Sequence, residues 1–101
     1  MSDIKAVITA DDVLAYLGID YADEVVNRNI ERAINTADGE LRESVGDDYP
    51  VDHPLTKELA LLYAAVSYEG RELAGNEGKR ADGLALKLSL VMRRTADAQG
   101  I

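Results

Sequence analysis

Between Leu59 and Val66 every position of the chain is apolar, whereas on either side apolar residues recur at steps of three and four. That contrast predicts a helix needing cover on several sides, flanked by helices with a single apolar face. His53-Pro54 marks the start of the apolar helix, because proline's fixed φ and missing N–H suit the first helical turn, and Asp52 stands where it can cap free N–H groups. From there Leu55, Leu59, Leu62 and Val66 form one stripe while Leu61, Ala64, Ala65 and Tyr68 fill other sides, as far as Gly70-Arg71. This is the expected central buried helix.

Upstream, residues 1–8 show no sustained period and read as a leading coil in which Ile4, Val7 and Ile8 can pack. Thr9 precedes Asp11 and Asp12, a capping pattern for a short helix with Val13, Leu14 and Leu17 on one face, ended by Gly18. Asp20 then opens a long amphipathic helix over roughly residues 22–44, with Val26, Ile30, Ala33, Ile34, Ala37 and Leu41 inward. Its expected outer face carries Glu24 with Arg28 and Asp38 with Arg42, acid first at i,i+4, worth about 0.3–0.5 kcal/mol per pair. Gly46-Asp47-Asp48-Tyr49-Pro50 breaks the chain.

Past the apolar helix, residues 75–83 hold three glycines and both signs of charge, and read as a mobile loop. Leu84, Leu86, Leu88 and Leu90 alternate as in a strand, yet Leu84, Leu88 and Val91 also fit one helical face. Helix is the reading chosen for Leu84–Arg94, since Leu, Ala, Lys and Met favour it and no partner strand is evident. Residues 96–101 are expected to fray. The expected fold is therefore all-α: one domain over residues 1–101, a small bundle with a long amphipathic helix, a central buried helix and short N- and C-terminal helices.

Composition narrows the chemistry. The chain has 101 residues, no cysteine, no Phe and no Trp, so neither disulfides nor thiolate metal sites arise and the core must come from Leu, Val, Ile, Ala and Tyr. The longest uncharged apolar run is about half a bilayer span and the N-terminus lacks signal-peptide character, so a soluble protein with no membrane partner is expected. Nineteen acidic against eleven basic residues give a net charge of −8, which opposes tight binding to nucleic acid.

No catalytic constellation emerges. His53 is the only histidine and is read as a helix-start residue. Asp47, Asp48 and Asp52 do not match a calcium loop, and the Gly75–Lys79 segment lacks both the spacing of a phosphate loop and its preceding strand. A helix-turn-helix reading of the first two helices would aim Glu24, Glu31 and Asp38 at phosphates. Tyr16, Tyr63 and Tyr68 are read as core or core-edge residues, and Tyr21 and Tyr49, at helix junctions, as possible interface residues. Neither catalysis nor a cofactor or metal is expected; binding or assembly is.

The order of segments carries a resemblance. Ile8-Thr9, Asp12-Val13 and Tyr16-Leu17-Gly18-Ile19-Asp20 resemble the opening of the small head-tail connector (adaptor) proteins of tailed bacteriophages. His53-Pro54-Leu55 opening an Ala- and Leu-rich helix, and Tyr68-Glu69-Gly70-Arg71-Glu72 closing it, are similar to that family in the same order. A final Leu-rich helix ending in arginine also fits, although the proline and aromatic often found there are missing.

The resemblance implies a structural neck protein of a phage or prophage, made in the host cytoplasm and placed in the virion. It would form a homo-oligomeric ring of roughly twelve copies through heterologous interfaces. Its partners would be the portal above and a neck or tail component below, with DNA passing through a channel without specific binding. Candidate interface residues are Arg28, Glu31, Arg32 and Arg42 on the long helix, Arg71 and Glu72 in the family-like motif, and Arg93 and Arg94 at the end of the last helix. The alternative is a small acidic helical module, regulatory or antitoxin-like, that masks a basic partner.

Overall fold

Four helices run through residues 7–99, the part of the chain that the computed structural model describes, and no strand occurs among them. The all-α expectation holds. Helix α1 is Ala10–Leu17, α2 Glu24–Ser44, α3 Pro54–Glu69 and α4 Gly75–Gln99.

Each of the first three helices starts on a side-chain cap. Thr9 Oγ1 accepts from the Asp12 N–H at 3.1 Å while Asp12 Oδ2 accepts from the Thr9 N–H at 2.9 Å, a reciprocal capping box. For α2 the cap is Asp23, which accepts from the Val26 N–H at 2.8 Å, so the helix begins at Glu24 and not at residue 22. For α3 the cap is His53, whose Nδ1 accepts from the Leu55 N–H at 3.1 Å, with Pro54 in the first turn; Asp52, the expected cap, is exposed. The ends of α1 and α3 share one geometry. Gly18 and Gly70 adopt φ of 74° and 67°, and the residue after each donates five positions back, Ile19 to Leu14 O and Arg71 to Val66 O.

Helix α3 supplies eight buried residues, Thr56, Leu59, Ala60 and the run Leu62–Val66, and the other three helices all pack on it. Helix α2 makes the largest of these contacts and contributes Ile30, Ala33, Ile34, Ala37 and Leu41. Buried alanines on both helices allow close approach of the two axes. Val13 enters from α1, Ala81, Leu84 and Leu88 from α4, and Val7 and Ile8 from the segment before α1. Ile4 lies outside the described residues, as do residues 100–101.

Two expectations fail at the C-terminal end. Residues 75–83 are not a loop but the first turns of α4, which at 25 residues is the longest helix rather than a short one. Residues 96–99 of the expected frayed tail belong to it too. The physical reason is that the inward stripe begins earlier than the leucines. Ala81, Leu84 and Leu88, spaced three and four apart, are all buried. The turn is also tied down by charge: Arg80 pairs with Glu58 of α3, and Glu77 with Arg71 in the α3–α4 link. Lys57 of α3 makes a similar tie to Asp12 of α1, at 3.6 Å.

Two tests follow from this architecture. A Cβ on Gly83 would meet no atom within 4 Å, so Gly83→Ala should raise stability by about 0.5–1 kcal/mol in urea denaturation, the gain of a helix-interior site. No gain would return residues 75–83 to a loop. The second concerns Asp12, whose carboxyl is held below the usual aspartate range, chiefly by the Thr9 N–H and then by Lys57, against an opposing effect of burial. A carboxyl depressed in the folded state stabilises fully above its unfolded pKa of about 4 and loses that contribution as pH falls through the folded value. The stability difference between wild type and Asp12→Asn should thus be constant near neutrality and shrink in the acid range. A gap independent of pH would refute the assignment.

Candidate interaction surfaces

The residues singled out in the sequence do not form one site. Arg28, Glu31 and Arg32 lie on the exposed side of α2, where Arg28 faces Glu24 at 3.9 Å with both side chains well solvated. Such a pair contributes little to stability and leaves the guanidinium accessible.

Arg42 is different. Its Nε donates to both carboxylate oxygens of Asp38 at 3.2 Å, Nη1 lies 3.7 Å from Asp47, and its guanidinium carbon sits 5.8 Å from the centre of the Tyr49 ring. Asp38, expected among the exposed residues, is buried, and Tyr49 donates its hydroxyl to Asp38 Oδ1 at 2.8 Å. The hydrogen bond to Asp38 is the first cause of the raised pKa of Arg42. Tyr49, read as a possible interface residue, is instead an internal anchor for the link between α2 and α3. Arg42→Glu would set a carboxylate against Asp38 and disturb the fold, so Arg42 is a poor probe of any interface.

Arg71 is engaged inside the chain as well. Nε donates to Glu69 at 2.7 Å and the two terminal nitrogens grip Glu77, one contact at 3.0 Å. Glu77 raises the Arg71 pKa most, and Arg71 in turn lowers that of Glu77. The clamp fixes the link that carries the chain from α3 into α4. Glu72, Arg93 and Arg94 are exposed.

A groove of about 410 Å³ runs between α2, the end of α3 and this link, with Val66 and Leu73 as apolar lining and Glu40 and Glu72 as carboxylates. A smaller hollow of about 200 Å³, reached by Arg32 and Tyr68, shares Ser67 with it. Tyr63 borders the groove and donates to Ser44 Oγ at 3.0 Å, while Ser44 Oγ donates to Glu40 O at 2.8 Å. Burial pushes the Tyr63 phenol up, so at neutral pH it is a donor and not a base, and the pair holds no activated nucleophile. Among the described residues no acidic or histidine cluster has metal-binding geometry, and no helix is long and apolar enough to cross a membrane.

Sequence reasoning missed a second kind of surface residue. Tyr16, read as core or core-edge, is exposed, as are Tyr21, Val25, Leu86 and Leu90. The signal was present for the leucines: at 100° per residue, Leu86 and Leu90 fall opposite Leu84 and Leu88. No protein-family model, curated protein or solved structure matches this chain.

The polar anchor is testable. Tyr49→Phe should cost about 1.5–3 kcal/mol in chemical denaturation, because the lost donor served a buried carboxylate. In an Asp38→Asn background the same change should cost much less, and equal costs in both backgrounds would show that the two residues are not coupled.

Proposed function

We propose that the chain is a structural neck protein of a tailed phage or prophage. In this reading copies form a ring that joins the portal of the DNA-filled head to the tail and extends the DNA channel. The protein is made in the bacterial cytoplasm and ends in the virion neck. Helix α2 is then the long amphipathic helix of the family's bundle and α3 its central helix.

The observation that carries the reading is where the family-like motifs fall. Leu17-Gly18-Ile19-Asp20 makes the turn out of α1, His53-Pro54 opens α3, and Tyr68-Glu69-Gly70-Arg71 closes it. These residues shape helix junctions in an all-helical chain, so a similar order of motifs is grounds for a similar arrangement of helices. An excess of carboxylates also suits a channel through which DNA slides, since a lining rich in cations would hold phosphates in a salt-dependent way.

The test is native mass by light scattering over a concentration series, with electron microscopy of the heaviest fraction. Annular particles of roughly a dozen subunits are expected. A monomer or dimer at every concentration that captures basic proteins with salt-sensitive affinity would sink the ring and favour the masking module.

A further inference from the structure

All five large hydrophobic side chains that stand exposed among the described residues fall in two places. Tyr16, Tyr21 and Val25, at 45%, 75% and 59% exposure, lie in the ten residues that turn from α1 into α2. Leu86 and Leu90, at 62% and 41%, are one turn apart on α4. Singly exposed apolar residues are ordinary, but grouping of this kind marks a contact surface.

The charges within the two stretches that carry these groups are opposite, although Asp82 stands one turn before Leu86, and Lys57 and Arg28 face Asp12 and Glu24. Residues 11–25 contain Asp11, Asp12, Asp20, Asp23 and Glu24 and no basic residue. Residues 84–94 contain Lys87, Arg93 and Arg94 and no acidic one. None of those three cations makes an ion pair with a side chain of residues 7–94. In a chain of net charge −8, a stretch with only positive charge is the exception, and it borders an unpartnered apolar pair.

We infer that the α4 surface around Leu86 and Leu90 docks on the α1–α2 junction around Tyr21 and Val25 of a second copy. The contact is head to tail. Apolar side chains meet at its centre, and the cations of α4 face the carboxylates of the junction at its rim. Since each copy offers both surfaces, the association propagates, and it closes into a ring when the rotation per copy divides a full turn. Only that closure rests on the neck-ring reading.

The experiment uses two double variants of the full chain, Leu86→Ser with Leu90→Ser and Tyr21→Ser with Val25→Ser. All four side chains are exposed, so far-UV helicity should be unchanged. Wild type should self-associate, and each double variant alone should remain at the protomer mass of 11.0 kDa. An equimolar mixture should reach a heterodimer and nothing larger, because one intact pair of surfaces remains.

Self-association by the junction variant alone would mean that α4 pairs with α4, and would overturn the inference. Variants that assemble like wild type would overturn it too, while leaving a ring built through other surfaces. A wild type that stays monomeric at the highest concentration overturns the head-to-tail contact, and leaves the neck-protein reading to the capture test. Open fibres that obey the mixing rule would support the head-to-tail contact and defeat the ring.

Discussion

A helix that is apolar on nearly all its faces is a constraint that one partner cannot satisfy. Helix α3 has buried side chains at both residues of consecutive pairs, Leu59-Ala60, Tyr63-Ala64 and Ala65-Val66, which point in different directions around the axis. Burying Leu59, Leu62 or Val66 is worth about 1.5–3 kcal/mol each, so uncovering any side would cost more than a surface interaction can return. The chain meets the demand by wrapping. Helices α1, α2 and α4 all lie on α3, and the apolar faces they turn toward it are the complement of its several.

Wrapping makes the junctions decisive, because each link must bring its helix back onto the same partner. The left-handed glycines Gly18 and Gly70 end their helices abruptly and satisfy the last carbonyls, which a residue with a Cβ does at greater cost. The link between α2 and α3 also has a positive-φ glycine, Gly46 at 127°, whose N–H donates five positions back to Leu41 O, and it is held in addition by a polar contact. Tyr49 folds back to Asp38, and Arg42 covers the pair. At the next link Arg71 bridges Glu69 and Glu77. Two arginines that look from sequence like docking groups are thus holding the chain's own corners.

This explains what could be read from the sequence and what could not. Helices α1, α2 and α3 were legible because periodicity and caps agree, with errors of a few residues where Asp20 and Asp52 stand near the true caps Asp23 and His53. The start of α4 was not legible. Gly75, Gly78 and Gly83 lower helix propensity, and the one inward residue among them, Ala81, is too small to signal a face. Tertiary contacts decide there: Arg80 with Glu58 and Arg71 with Glu77 supply what local propensity lacks. The partners of Arg42 and Arg71 were partly visible as local spacing, but the burial of Asp38 and Tyr49 depends on how the link folds back, which no local pattern records.

Copies that each carry a net charge of −8 repel one another, and any self-association has to overcome that repulsion. At physiological ionic strength charges are screened beyond about 8 Å, so what matters is the sign of charge close to the contact rather than the total. A face-to-face pairing of the junction would bring carboxylates together, and a face-to-face pairing of α4 would bring together Lys87, Arg93 and Arg94. The same surfaces joined head to tail place opposite signs side by side. Electrostatics therefore disfavours the symmetric dimer and favours the one mode of contact that can continue from copy to copy.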